Sequence, residues 1–320
     1  MTPSFTRNAL AALSALMLLS ACGKYVFTNP SGPPPVIPTL PAGIDAGGTG
    51  TANDPLSRLA TPTSFAATAH QGLEITNLNG GLEATPTLSF DLTTTGIDMK
   101  MSDGTARFDT RLSSTHNRGT NTYRSCIGTC DANASVIDLT FNGGTANSNL
   151  TYVSYGTWTK TIAGATVTRF GAFAVGQPTT TAQMPTTGGA TFTGQASGLV
   201  LIDGPIDDVS FTGAISLAAD FAAKTVSGGL TNIATRVVGA PTATPAGTMN
   251  NISFTGGTIT GTTFAGTATP VAALNPTVNL AGTVGQFNGA FYGPNASEAA
   301  GSFALSRNGL SLVGAFGVRR

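Results

Sequence analysis

The chain has 320 residues, and its 15 basic and 15 acidic side chains cancel at neutral pH. No cluster of Lys and Arg is visible, which argues against a nucleic-acid partner because phosphate binding depends on such clusters. Only 9% of the residues are charged, whereas 41 residues are glycine. Sparse charge with abundant Gly, Thr, Val and Phe favours short β-strands joined by tight turns over helices.

The N-terminal segment combines a base, an apolar run and a cysteine. Arg7 precedes the apolar run Ala9–Leu19, which is too short to span a bilayer. The run leads into a Leu-Ser-Ala-Cys tetrapeptide ending at Cys22, which resembles a bacterial lipobox. We therefore predict a signal peptide over residues 1–21 and lipidation of Cys22; the alternative is an ordinary secretory signal with an incidental cysteine.

The residues that follow predict a tether and then two folded regions. Pro30–Pro55 is rich in Pro and Gly and has few residues that could form a core, so residues 22–59 are expected to be a disordered tether. Strand-like segments at Gly72–Leu78, Thr87–Leu92 and Ala134–Phe141 predict a small β-rich domain over residues 60–147. Residues 148–320 are more regular and are expected to form a second domain.

Two cysteines of the first region, Cys126 and Cys130, are separated by Ile-Gly-Thr. Three intervening residues with a central glycine can close a small disulfide loop, and an exported protein lies in an oxidising compartment. We therefore predict a Cys126–Cys130 disulfide. A redox pair or half of a metal site are the alternatives, but the Cys-x-x-Cys spacing and a nearby histidine are both lacking.

The second region alternates between apolar and polar residues with a period of two. In Val209–Phe221 every odd-numbered residue is Val, Phe, Gly, Ile, Leu or Ala, and most even-numbered ones are Ser, Thr or Asp; Ala190–Ile202 and Gly309–Val318 follow the same plan. About eight such segments occur without a convincing helix between them. This pattern predicts an all-β fold, an antiparallel up-and-down barrel that leaves no exposed strand edge.

A Phe-x-Gly triplet recurs through the chain and is expected to serve the barrel interior. A ring lying across the bare backbone of a glycine on the same strand face stabilises that glycine and permits sharp coiling. Alternation of Phe with Gly and Ala also suits the narrow lumen of an eight-stranded barrel. A ligand-stacking role for the rings is the alternative. The triplets begin at Phe141, Phe192, Phe211, Phe254, Phe264, Phe287 and Phe291.

Near the C-terminus the sequence GAFYGPNASEAAGSFAL, followed by GAFGVRR, resembles the closing signature of the transferrin-binding protein B type β-barrel. Tyr155–Trp158 and Phe170–Gly198 resemble the first strands of the same barrel. The resemblance implies a surface lipoprotein of Gram-negative bacteria, in which a small β-rich handle domain precedes a barrel. Within the motif, Asn295–Ala300 are expected to form a helical or 3₁₀ turn that Gly301 ends and that connects two late barrel strands. Glu298 is expected to accept backbone donors from that turn or to pair with a strand residue.

No catalytic motif is visible in the sequence, so neither enzymatic activity nor a cofactor is expected. His70 and His116 are interpreted as solvated loop histidines, with a haem or metal ligand as the alternative. The resemblance implies an outer-membrane protein, held at the cell surface by its lipid anchor, that captures an iron carrier, haem or another solute. Since full transferrin receptors of this kind have two handle-plus-barrel lobes and this chain has room for one, the ligand stays open. The competing hypotheses are a structural surface lipoprotein and a haem carrier.

Overall fold

The computed structural model describes residues 74–75, 82–83, 89–93, 96–101, 104–109, 116–117, 122–127, 135–141, 150–161, 168–202, 208–238 and 247–320. The predicted signal peptide, Cys22 and the tether lie outside these residues. The described part of the chain is almost entirely β-strand, with two 3₁₀ turns at Thr181–Gln183 and Pro294–Ala296.

Within the described residues, ten strands precede the barrel and form two antiparallel sheets. Two of them, β1 and β8, fall within strand-like segments predicted for this region, and β3 overlaps the third but extends to Thr93. The strands are β1 (Glu74–Ile75), β2 (Leu82–Glu83), β3 (Ser89–Thr93), β4 (Gly96–Met101), β5 (Gly104–Asp109), β6 (His116–Asn117), β7 (Thr122–Cys126), β8 (Val136–Phe141), β9 (Val153–Thr161) and β10 (Thr168–Gly176). A three-stranded sheet has the order β3-β4-β5, and a seven-stranded sheet has the order β2-β1-β10-β9-β8-β7-β6.

The remaining strands are β11 (Gly189–Ile202), β12 (Val209–Asp220), β13 (Thr225–Val237), β14 (Gly247–Thr248), β15 (Ile252–Thr260), β16 (Thr263–Pro270), β17 (Val284–Tyr292), β18 (Glu298–Arg307) and β19 (Leu310–Arg319). Apart from the two-residue β14, which adds to β13, each pairs antiparallel with the next one along the chain, and β11 pairs with β19 to close the wall. The predicted eight-stranded up-and-down barrel is thus confirmed.

Strands β9 and β10 correct one expectation. From the sequence, Tyr155–Trp158 and Phe170–Gly198 are expected to supply the first barrel strands. β9 contains all of Tyr155–Trp158 and β10 contains Phe170–Gly176, whereas the end of the second segment lies in β11, which is a barrel strand. Strand β9, however, pairs with β8 and β10, and β10 also pairs with β1. The first barrel strand begins at Gly189, so strand pairing places the start of the barrel later than residue 148. A strand that packs on a barrel and a strand within its wall share the same composition, which explains the error.

Inside the barrel, aromatic rings and glycines pair across strands rather than along one strand. Phe264 lies opposite Gly289, and Phe287 lies opposite Gly266, so that two triplets on neighbouring strands cover each other's glycines. A Cβ atom added to Gly289 or to Gly266 would come within 2.5 Å of the opposite ring. The triplet therefore has the predicted structural role, but the ring covers the glycine of the adjacent strand.

The alternation predicted for β12 is confirmed, whereas β15 departs from it. From Val209 to Asp220 buried residues alternate with more exposed ones. In β15 the pairing register shifts between Thr255 and Thr258, and Gly256 has a left-handed φ of 62°. This bulge moves Gly257 to the buried face, so the glycine of the Phe254 triplet does not lie beside its ring.

The outer face of one side of the barrel, which we call the covered wall, packs against β9 and β10. Leu150, Val153, Tyr155, Ala172 and Ala174 form one apolar cluster with this wall. As a result β18 and β19 are buried on both faces, except at the arginine that ends each strand. The barrel residues in the cluster are Leu201, Ala290, Tyr292, Ala300, Ala304, Val313 and Ala315.

The connection between β17 and β18 corrects a second expectation. The 3₁₀ turn covers only Pro294–Ala296, and Gly301 lies within β18, opposite Gly289 and Phe316. Gly301 is therefore not the exit of a turn, and a Cβ atom there would collide with the carbonyl of Asn288. The expectation that this segment joins two late barrel strands is confirmed.

Candidate functional site

The lumen of the barrel is filled by side chains. Phe254 stacks on Phe287 with 4.7 Å between ring centroids, and its ring lies 5.4 Å from that of Phe303. Such close-packed rings leave the described lumen no space for a ligand. Nine phenylalanines belong to the buried cluster: Phe192, Phe211, Phe221, Phe254, Phe264, Phe287, Phe291, Phe303 and Phe316. Within the described residues, a binding surface therefore lies on the outside of the barrel.

One end of the barrel carries the exposed large hydrophobic side chains of the described residues. At this end, which we call the loop end, β11, β13, β16 and β18 finish and β12, β15, β17 and β19 begin. The side chains and their exposed fractions are Val238 (54%), Val271 (44%), Leu274 (98%) and Val284 (71%). Exposed apolar groups gathered at one end are a feature of protein-binding surfaces.

Residues 271–283, which we call the long loop, join β16 to β17 at this end. The part of the loop around Val278 and Leu280 closes the barrel, since both side chains are buried in the lumen cluster. Buried Asn250 fixes both of its arms: the side-chain amide donates to the carbonyl of Val271 at 2.9 Å, and its carbonyl oxygen accepts from the N–H of Leu280 at 2.8 Å. The long loop is thus an anchored part of the structure.

Further hydrogen bonds hold the long loop from the sides. The N–H of Val278 donates to the carbonyl of Thr248 at 3.0 Å, and the Arg307 guanidinium donates to the carbonyl of Asn279 at 3.3 Å. Between the anchored arms Leu274 projects fully into solvent, followed by Asn275 with a left-handed φ of 47°. Asn tolerates that conformation better than most residues do. An anchored loop presents its apolar tip at a low entropic cost of binding.

The long loop contains no charged residue. Arg307 on β18, Arg236 on β13 and Asp208 before β12 are charged groups at the same end of the barrel. The surface that the long loop offers is therefore apolar and neutral, and it suits a partner whose contact surface is also weakly charged.

A set of hydrogen bonds joins the covered wall to the seven-stranded sheet and to the residues that follow it. The N–H of Thr179 donates to the carbonyl of Phe291 at 2.9 Å, and the N–H of Gly293 donates to the carbonyl of Gln177 at 3.0 Å. Gly293 has a φ of 69°, and the Tyr152 ring lies so close that a Cβ atom would meet it at 2.4 Å. Glycine is thus required at this position both for its conformation and for its lack of a side chain.

Glu298 completes this arrangement. Its carboxylate is 4% exposed and accepts the backbone N–H groups of Thr151 and Tyr152 at 2.5 and 2.8 Å. Burial raises the pKa of Glu298 to about 7, and this outweighs the lowering of the pKa by the backbone donors and by Arg319. Glu298 does accept backbone donors, but the expectation that the neighbouring turn supplies them was wrong, because the donors lie on the segment before β9.

The structure does not bring the residues singled out from the sequence into one site. Cys126 ends β7, while Cys22, His70 and Cys130 lie outside the described residues; lipidation and the disulfide stay predictions. His116 lies in β6. Among the described residues, no group of three or more His, Cys, Asp or Glu side chains is placed to hold a metal ion. No helix in the described part is long and apolar enough to cross a membrane.

Sequence reasoning missed Leu274 and Asn250. Both lie in segments without strand periodicity. The apolar pattern of a sequence does not show whether a single leucine is exposed. The available signal was the charge-free stretch 271–283 with its Asn-Pro pair, which indicates a loop but does not tell which of its two leucines is buried.

Similar solved structures include a transferrin binding protein B mutant from Haemophilus parasuis Hp5, with 16% identity over 80% of this chain and 45% of that chain and a TM-score of 0.47. Transferrin binding protein B from serogroup B Neisseria meningitidis has 20% identity over 79% of this chain and 43% of that chain, with a TM-score of 0.41. The N-lobe of lactoferrin binding protein B from Moraxella bovis has 19% identity over 53% of this chain and 76% of that chain, with a TM-score of 0.33.

The chain thus spans less than half the length of these two transferrin binding protein B structures. No curated protein matches it. The family described as the C-lobe and N-lobe beta barrels of Tf-binding protein B matches residues 184–320, which run from just before β11 to the last residue of β19 and beyond to Arg320. Residues 184–320 therefore form a transferrin-binding protein B-like barrel domain.

Proposed function

We propose that the protein is a lipid-anchored protein of the outer membrane that binds a protein ligand at the cell surface through the loop end of its barrel. The observation that carries the proposal is the contrast between a lumen filled by phenylalanines and a loop end where Leu274 is 98% exposed. Cys22 would hold the protein on the membrane, and residues 22–59 would act as its tether.

An iron-carrying host protein is the ligand class we propose, and iron acquisition is the corresponding role. The match of residues 184–320 to the family of barrels from Tf-binding protein B supports this ligand class. A small solute is less suited to the described part of the barrel, because the lumen has no room for it. The haem-carrier alternative rests on His70 or His116, and no observation favours that role.

Direct binding tests the proposal. The full chain, solubilised in detergent and immobilised, is exposed to iron-loaded transferrin and to iron-loaded lactoferrin as separate probes. We expect saturable binding of at least one probe. Leu274→Asp should weaken that binding at least tenfold, because a charge would replace a central apolar contact. Ala265→Asp is the matched control, since it adds the same charge at an exposed position of β16 away from the loop end, and should leave binding unchanged.

Two outcomes would contradict the proposal. Equal binding by the Leu274→Asp and Ala265→Asp variants would exclude the loop end as the contact surface. Failure of both probes to bind, together with normal growth of a deletion strain under iron limitation, would favour a structural surface lipoprotein.

A further inference from the structure

Glu298 joins two parts of the fold that are far apart in sequence. It is the first residue of β18, and its side chain lies on the covered wall. The hydrogen bonds to Thr151 and Tyr152 span 147 and 146 residues of the chain. Each carboxylate oxygen accepts one of these N–H groups, so the segment that leads into β9 is attached to the barrel by one buried acidic side chain.

Few charged or titratable groups of the described residues surround this carboxylate. Tyr292 on β17 and Arg319 on β19 are its cross-strand neighbours. Tyr152 and Tyr155 come from the side of the seven-stranded sheet. Burial raises the pKa values of Tyr155 and Tyr292 well above the ordinary tyrosine value, so both rings stay neutral at physiological pH. Arg319 is thus the positive group that lowers the pKa of Glu298, and its influence is smaller than that of burial.

We propose that Glu298 makes the joint between the barrel and β9 responsive to pH around neutrality. In the closed joint its carboxyl group is buried and holds residues 151–153. If this segment lifts off the covered wall, the carboxyl group enters water. The two states differ in their affinity for a proton, so pH shifts the balance between them.

The direction follows from the two pKa values. The closed joint holds Glu298 with a pKa of about 7, whereas a solvated glutamate has the reference value of 4.5. Proton uptake therefore favours the closed joint, which has its full stability below pH 4.5. That stability is lost as the pH rises through 7, where the buried group ionises. The difference between the two pKa values corresponds to an increase of about two orders of magnitude in the equilibrium constant for opening as the pH rises from 4.5 to 7.

Hydrogen–deuterium exchange of the full chain in detergent measures the joint directly. The readout is the protection of a peptide covering residues 150–155, from pH 5 to pH 8.5, corrected for the intrinsic exchange rate. A peptide covering residues 252–260 of β15, on the opposite side of the barrel, is the internal reference. We expect the protection of residues 150–155 to fall at least tenfold relative to the reference, mostly between pH 5 and pH 7, and to level off at higher pH.

Glu298→Gln supplies the matched variant, because its amide has the shape of the neutral acid, can still accept one N–H group and does not titrate. Its protection should be independent of pH. Wild-type protection that does not change with pH relative to the reference would overturn the proposal. So would the same pH dependence in the Glu298→Gln variant, since another group would then be responsible.

Discussion

The covered wall and the opposite side of the barrel, which we call the open wall, have the same interior but different exteriors. Strand β18 of the covered wall is buried at every residue except Arg307, and its outward positions include Ala300, Ala304 and Ser306. On the open wall, formed by β12, β13, β15 and β16, outward positions such as Thr212 and Thr267 are exposed. The inward residues of both walls belong to one apolar cluster.

The barrel interior therefore requires large apolar residues on both walls, whereas the residues suited to the exterior depend on what packs against it. Small residues on the covered wall let β9 and β10 approach closely, with Tyr155 lying over Gly317. Threonine on the open wall combines a high strand preference with a hydroxyl group that water can solvate. The same substitution should therefore have different effects on the two walls.

The largest expected effect is that of a charge placed on the covered wall. Ala304→Asp would bury an unpaired carboxylate beneath the seven-stranded sheet and should lower the free energy of unfolding by about 3–5 kcal/mol. Ala265→Asp on the open wall should change it by less than about 0.5 kcal/mol. Denaturant unfolding followed by the fluorescence of Trp158, the single tryptophan of the chain, measures both. Equal effects of the two substitutions would contradict the difference between the walls.

The long loop allows the same comparison between two leucines. Leu280 is fully buried in the lumen cluster, whereas Leu274 is 98% exposed. Leu280→Ala should cost about 2–5 kcal/mol of unfolding free energy through lost apolar contacts and a cavity, while Leu274→Ala should cost almost nothing. Thermal or denaturant unfolding of the two variants checks this expectation. A large loss of stability for Leu274→Ala would mean that the tip is a structural element and not a free contact surface.

A smaller effect is expected where Tyr155 contacts the covered wall. A Cβ atom at Gly317 would lie 2.5 Å from the Tyr155 ring and from Leu150. Gly317→Ala should therefore cost about 1–3 kcal/mol of unfolding free energy by overpacking. Tyr155→Leu should recover part of that loss in the double variant, and a double-mutant cycle measures the coupling. Strictly additive effects would show that the ring does not cause the restriction.

Sequence patterns predicted those parts of the fold that depend on local periodicity. The alternation in β12 follows from one buried and one exposed face, and the Phe-x-Gly triplets follow from a narrow lumen lined by bare backbone. The bulge at Gly256 interrupts the alternation because the pairing register shifts there. A pattern of apolar and polar residues does not reveal such a shift. The assignment of Tyr155–Trp158 to the barrel was wrong because packing on the wall and pairing within it select the same residues.

The candidate site was less predictable, because it depends on contacts between distant parts of the chain. The donors to Glu298 are about 147 residues away in sequence, whereas the sequence indicates only the nearby turn as their source. Leu274 and Leu280 have the same side chain in the same loop, and only the anchoring by Asn250 determines which one is buried. Such distinctions arise from tertiary structure and cannot be inferred from composition or spacing.

Thiol labelling of two single-cysteine substitutions tests the central claim, that the seven-stranded sheet packs against one wall of a closed and filled barrel. A304C introduces a thiol on the covered wall and A265C introduces one on the open wall. Peptide mass spectrometry follows maleimide labelling at each position in the native full chain. We predict rapid labelling at position 265 and labelling at position 304 only when the protein unfolds. Equal labelling rates at the two positions in native conditions would contradict the account.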